Sequence, residues 1–335
     1  MNRNEIMKEK IKKNGLLHAF YSFFNTIIKG YKIYKNIQNK YGRECKIYIG
    51  QHPGTGDVYL QSKFLSVYAE KQGVTEYVFV VIGGAAYSVA KLFDYKKIEK
   101  LTLVESNVLV EFYRFMGESL NIEILHYHPM MMYYGGLGYA RNYHEYNFFK
   151  MLHKFVFPGT NINMLQKPSY DNNKEFVDTL FKAFFLKKQK TVLLCPYANS
   201  LIGFPSVFWE KLVNKLIEKG FTVCTNSCGI NEPAIKGSCA VYIPYKYLKT
   251  FASEAGFIIS YRSGFSDIIS EIPCKKIILY SKQKIYNFMG GLGSSYDYFS
   301  LKNMGLCLDA IEYEFEMKNT KTIKNAINTI MNNFC

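Results

Sequence analysis

Three short segments combine glycine, small hydroxyl and ionisable residues in a way that suits a binding or reacting loop. The first is Gln51-His52-Pro53-Gly54-Thr55-Gly56-Asp57. Gly54 and Gly56, flanking Thr55, let the backbone turn tightly and come close to a ligand. Asp57 or His52 could serve there as a general base. Asp57 would equally serve as the cap of the helix that follows. The second segment is Tyr261-Arg262-Ser263-Gly264-Phe265-Ser266-Asp267. Backbone N–H groups from Ser263 and Gly264 onward, with Ser266 in the same turn, make an anion site at a helix start. Arg262 suits two-pronged contact with phosphate. In the plainer reading Ser263 is a cap, Arg262 pairs with a carboxylate and Asp267 balances the helix dipole. The third is Pro196-Tyr197-Ala198-Asn199-Ser200, followed by Gly203 and Phe204, where Asn199 and Ser200 offer hydrogen bonds. None of these is G-x-G-x-x-G, and no acidic residue ends the second strand to hold a ribose. A nicotinamide or flavin site is therefore not expected, and no cofactor is assigned.

Elements that position such loops follow from hydrophobic spacing. Strand patterns fall at 45–50, 76–84, 101–106 and 122–129, alternating with helical patterns at 57–72, 85–94 and 107–117. After a polar stretch at 159–173 and a connecting helix at 174–186, the alternation restarts. Strands are expected at 191–198, 221–227, 239–245, 257–261 and 275–280, with helices at 204–220, 247–256, 265–271 and 320–333. Apolar strands alternating with helices mean βαβ units and parallel sheets. Ligands of such sheets bind outside the carboxyl ends of the strands, where the three loops fall. The expected division is a helical extension at 1–44, an N-terminal Rossmann-like domain at 45–160, a linker and connecting helix at 161–188, and a C-terminal Rossmann-like domain at 189–335.

The chain has 335 residues, 48% apolar and 21% charged. That is a globular composition and excludes a disordered chain. No apolar run is long enough to span a membrane. Forty-two Lys and Arg against 27 Asp and Glu give a net charge of +15, which favours anionic partners. Eight scattered cysteines read as reduced thiols of a cytoplasmic protein. Cys224 and Cys228 lack a second pair at zinc spacing, so no metal site is expected.

Residues 1–46 carry eleven Lys or Arg against three Glu, over half of the net charge. Leu16, Leu17, Phe20, Phe23, Phe24, Ile27, Ile28, Tyr31 and Tyr34 recur at helical spacing. His18, Ser22 and Asn25 interrupt the apolar stretch, and no small-residue cleavage site follows, which argues against a secretory signal. Two readings remain open: a helix packed on the first domain, or an interfacial helix on an anionic membrane.

With these residues in view, the chain resembles the GT-B glycosyltransferases, and most closely glycosyltransferase family 9, the heptosyltransferase-like enzymes. Gly56-Asp57-Val58 looks like the family's G-D-V loop, TVLLCPYANS with Phe208-Trp209-Glu210-Lys211-Leu212 like its donor-side strand and W-x-x-L helix, and FIISY-Arg262-Ser263-Gly264-Phe265-Ser266-Asp267 like its D-[ST]-G-x-x-H loop. Arg262 stands where the family has Asp, and Asp267 where it has His. The basic residue usual before the W-x-x-L helix is missing from ANSLIGFP, and the 44-residue N-terminal extension is additional.

The resemblance implies two Rossmann-like domains facing each other across a cleft. It implies metal-independent transfer of a sugar from a nucleotide-diphosphate sugar to a glycan or lipid-linked acceptor, in cell-surface polysaccharide synthesis. Asp57 would be the base, with His52 beside it, and Gly54, Thr55 and Gly56 would form the acceptor-side loop. Arg262, Ser263, Gly264, Ser266, Asp267, Asn199 and Ser200 would hold the donor. The protein would be cytoplasmic, on the inner face of the membrane if the N-terminal helix binds lipid. A nucleotide-sugar epimerase or hydrolase of the same fold is the alternative. A basic nucleic-acid-binding protein is a second alternative, disfavoured because the aromatics sit in core-like runs and no recognised motif appears, so no nucleic-acid partner is assigned. His126, His128 and Met130–Met132 read as lining or covering the first-domain cleft, His144 near Arg141 as surface, and Tyr286 and Asn287 as candidates to touch a base.

Overall fold

The computed structural model describes residues 15–50, 52–126, 147–199, 201, 203–282 and 295–334. The expectations for Ser200, for His128 and Met130–Met132, for His144 near Arg141, and for Tyr286 and Asn287 lie outside these residues. The chain forms two compact units. One holds the described residues up to Pro53 with Tyr68–Lys91 and Tyr95–His126; the other holds Gly54–Val67, Leu92–Asp94 and the described residues from Asn147 on.

The first unit is built on strands β1 (Lys46–Ile49), β2 (Tyr77–Ile82), β3 (Ile98–Leu101) and β4 (Ile122–Ile124). They form a four-stranded sheet in the order β3-β2-β1-β4, parallel throughout. Nearly every residue of β1 and β2 is buried, as continuous apolar runs in a covered parallel sheet should be. Ile47, Ile49, Val78 and Val80 pack with Leu109, Val110 and Phe112 of the helix Leu103–Met116. The same cluster takes in Tyr34 and Ile37 of the helix Gly15–Tyr41. That helix crosses Leu103–Met116 at Gly30, where any Cβ would collide with Phe112 and the Val108 carbonyl.

The expected strand at 101–106 is corrected here. The strand ends at Leu101, and Thr102 starts a helix. The Thr102 hydroxyl accepts from the Glu105 N–H at 3.2 Å, and the Glu105 carboxylate accepts from the Thr102 N–H at 2.8 Å. This reciprocal cap satisfies two free helix donors and outweighs the strand preference of Leu-Val. β4 and β7 are also shorter than expected.

The second unit carries β5 (Thr191–Cys195), β6 (Thr222–Asn226), β7 (Cys239–Val241), β8 (Gly256–Tyr261), β9 (Lys275–Ser281) and β10 (Ile311–Phe315). They form a six-stranded parallel sheet in the order β10-β9-β8-β5-β6-β7. The helix Ser206–Glu218 lays Phe208, Trp209, Leu212, Val213 and Leu216 on one face of this sheet. Pro205 precedes its first turn and Gly220, at φ 85°, follows it, as expected of a helix with proline before and glycine after. Strand β10 was not anticipated. It is a partly exposed edge strand whose residues are all half-buried.

In both sheets the chain reverses its direction of strand addition, between β1 and β4 in the first and between β5 and β8 in the second. Ligands of parallel sheets bind outside the carboxyl ends of the strands at such a reversal.

Candidate functional site

The second unit's switch point is framed by two of the loops singled out from sequence. Cys195 of β5 lies beside Ser260 of β8, so Pro196–Asn199 and Arg262–Gly264 leave the sheet side by side. Asn199 is exposed and Ala198 packs against the core. The Tyr197 hydroxyl donates to the Pro233 carbonyl at 2.5 Å, fixing the loop's outer edge.

Residues of the Arg262 loop are held largely from within. Arg262 and Asp267 are buried, at 4% and 3% exposure. The guanidinium meets the carboxylate with both prongs, NH2 to Oδ1 at 2.7 Å and NH1 to Oδ2 at 3.1 Å. Nε donates to the Phe299 carbonyl at 2.8 Å, and NH1 also reaches the Ser263 carbonyl. Four of the five guanidinium protons are therefore spent inside the protein. The expectation that Arg262 faces a phosphate and the plainer one that it pairs with a carboxylate are both concrete; the guanidinium seen here faces Asp267. Ser266 is buried, its hydroxyl 3.1 Å from that of Ser260 and 3.3 Å from the Ser263 N–H that donates to it. The short helix Gly264–Ile268 starts from this knot, with Ser263 as its extended first residue.

The Gly54–Asp57 turn, more than 200 residues away in sequence, belongs to the same compact unit and abuts this loop. It opens the helix Thr55–Lys71. A Cβ on Gly264 would overlap the Gly56 nitrogen and the Thr55 hydroxyl, and a Cβ on Gly56 would overlap Asp267 Oδ2. The Asp57 carboxylate folds back against Gly54, whose carbonyl accepts from the Val58 N–H at 3.1 Å. Asp57 is half-buried. The Thr55 hydroxyl lies close to that of Tyr245. Further along the helix, buried Lys63 pairs with Glu271, and its carbonyl accepts from the Gln166 N–H at 2.9 Å. The Tyr170 hydroxyl donates to the Ile268 carbonyl at 2.6 Å. Burial pushes the Asp267 carboxyl up to about 6; Arg262 pulls the other way, and the Asp57 charge adds to the rise.

Sequence reasoning missed Lys63, Glu271, Tyr170, Tyr245 and the Phe299 carbonyl. Lys63 carried a signal, a lysine inside the apolar spacing of Leu60, Phe64 and Leu65. The others emerge only once the loops are brought together. In the first unit, His52 stacks on His126 with ring centroids 5.1 Å apart and planes 17° apart. Both stand beyond the carboxyl ends of the adjacent strands β1 and β4. Among the described residues no three His, Cys, Asp or Glu side chains converge as a metal set.

No family model matches the sequence, and no curated protein matches it significantly. Solved structures do match it in fold. An Escherichia coli ADP-heptose lipopolysaccharide heptosyltransferase II superposes with a TM-score of 0.54 at 11% identity, over 85% of this chain and 97% of that one. A glycosyl transferase family 9 protein from Veillonella parvula superposes with a TM-score of 0.50 at 11% identity, over 85% and 89%. The chain therefore has the heptosyltransferase-like fold of glycosyltransferase family 9. The resemblance read from its short motifs is borne out at the level of fold.

Proposed function

We propose that this protein is a glycosyltransferase that moves a sugar from a nucleotide-diphosphate sugar to the hydroxyl of a glycan or lipid-linked acceptor. The observation that carries the reading is the contact of the Gly54–Asp57 turn with the Arg262–Asp267 loop, at the second sheet's switch point, on a fold shared with a heptosyltransferase. Asp57 is the base that takes the acceptor proton. The backbone of Ser263 and Gly264, with Asn199 and Ser200, meets the donor diphosphate, where oriented N–H groups stabilise the charge that builds on the leaving group. Arg262 and Asp267 act through that backbone: they hold the loop in shape. His52, stacked on His126 at the carboxyl ends of β1 and β4, is the second candidate base.

The test is a thermal-shift series with nucleoside diphosphates and nucleotide-diphosphate sugars, without metal and then with Mg²⁺. A ligand that binds only the folded state must raise the Tm. We expect a shift with one nucleotide class, reduced in Asn199→Ala and unchanged by Mg²⁺. No shift with any nucleotide sinks the proposal. Release of free sugar at full rate without acceptor would favour a hydrolase of the same fold.

A further inference from the structure

The helix Gly15–Tyr41 has two apolar faces, and the first unit uses one of them. Gly30, Tyr34 and Ile37 are buried against Leu103–Met116. Phe20, Phe24, Ile28 and Tyr31 follow one another at helical spacing along another face and are 55%, 58%, 54% and 48% exposed. The patch continues onto the neighbouring helix. Phe23 meets Phe115 edge-on at 5.4 Å, and Phe115 and Met116 are themselves exposed. Between the two helices runs an apolar groove of about 530 Å³ lined by Ile27, Ile28, Tyr31, Phe112 and Met116. An exposed run of large aromatics on this scale marks a surface that meets something.

Charge identifies the partner. Gly15–Tyr41 contains Lys29, Lys32, Lys35 and Lys40 and no acidic residue. Lys40 is engaged by Glu99. Lys29, on the far side of the helix, and Lys32, at the edge of the patch, are exposed; Lys35 donates to Gln38 Oε1 at 3.1 Å, and its Nζ lies 5.7 Å from the Tyr31 ring centre. A second copy of this chain docked face to face would set these lysines against its own. An anionic bilayer answers both features: its headgroups take the ammonium groups, and aromatic rings settle at its water interface. Among the described residues no helix is long and apolar enough to cross a membrane, so the contact is one of a helix lying in the surface.

We propose that the Phe20–Tyr31 face, with Lys35 over it and Lys32 at its edge, docks this protein on an anionic phospholipid surface.

The experiment is co-sedimentation of the full-length protein with phosphatidylcholine vesicles and with vesicles that also contain phosphatidylglycerol, at low and high salt. Binding is expected to the anionic vesicles only, and to weaken as salt rises. Phe20→Ser with Phe24→Ser and Ile28→Ser should lower the binding by about tenfold or more while leaving the Tm unchanged. Lys32→Gln with Lys35→Gln should reduce the preference for anionic lipid, and Lys29→Gln, on the far side of the helix, should change it less. Equal binding to both vesicle types, or triple-serine protein that binds as the unaltered chain does, overturns the proposal. So does a protein that ignores vesicles but changes from dimer to monomer by light scattering in the triple-serine variant, since a second copy would then be the occupant. Nucleotide-sugar binding is a separate readout, so the two proposals fail independently.

Discussion

Gly264 lies against Gly56 so closely that neither position has room for a side chain. The consequence is steric, since neither glycine takes a left-handed backbone. Gly264→Ala should push the Gly56 nitrogen and Thr55 away, and Gly56→Ala should push on Asp267. Overpacking of this kind costs about 1–3 kcal/mol, to be read by urea denaturation. Nucleotide-induced thermal shifts should shrink in the same variants. Gly84, in the first turn of the helix Gly83–Ala90, has nothing within 4 Å of a would-be Cβ. Gly84→Ala is the control and should be neutral or stabilise by up to about 1 kcal/mol. Equal effects at Gly84 and Gly264 would remove the packing argument.

The Arg262–Asp267 pair predicts an asymmetric mutational response. Both groups are buried, so each is tolerated only because of the other. Arg262→Ala leaves a buried carboxylate alone, at a cost of about 3–5 kcal/mol. Arg262→Met combined with Asp267→Leu removes both charges and should cost much less than either single change. A cost below about 1 kcal/mol for Arg262→Ala would mean that the pair behaves as a solvated one.

These two relationships show what a sequence can and cannot deliver. The parallel-sheet architecture followed from apolar runs such as Tyr77–Ile82 and Thr191–Cys195, because strands covered on both faces have few polar residues to blur the pattern. Strand β10 escaped because it is an edge: Ile311, Tyr313 and Phe315 alternate with glutamates, a period-two signal only five residues long. Thr102 and Glu105 carried a capping box that the strand preference of their neighbours concealed. The loops Gly54–Asp57 and Arg262–Asp267 were recognisable one at a time by their residue types. Their contact was not, since nothing local in either segment encodes the other. For the same reason sequence left two roles open for Arg262: a guanidinium serves a phosphate and a carboxylate equally well, and only burial beside Asp267 decides which it faces here.

The pH dependence of stability should carry the mark of Asp267. Its carboxyl titrates near the ordinary value of 3.8 when the chain is unfolded and at about 6 when folded. Between those values the folded protein keeps a proton that the unfolded chain has released. This contribution to stability is therefore complete below about pH 4 and is lost as pH rises through about 6. Asp267→Asn should flatten that fall, although it costs stability at every pH by leaving Arg262 unpaired. Asp57→Asn removes a negative charge that raises the Asp267 value, so the fall should finish at lower pH. Denaturation midpoints measured from pH 3.5 to 7 check both; an unaltered profile in Asp267→Asn would assign the fall to another group.

Asp57 separates the chemical reading from the structural one. As a first-turn acid of the helix Thr55–Lys71 it interacts favourably with the helix dipole, a contribution of about 0.3–1 kcal/mol. As a general base it contributes about 10²–10⁴-fold to the rate. Asp57→Asn keeps the size and hydrogen-bonding reach of the side chain but cannot accept the acceptor's proton. We expect kcat for sugar transfer to fall by about two to four orders of magnitude, with donor-induced thermal shifts preserved and unfolding free energy changed by no more than about 1 kcal/mol. If turnover survives and only the stability moves, Asp57 is a helix-start charge and the base must be sought elsewhere. His52, on its stack with His126, is then the first residue to replace.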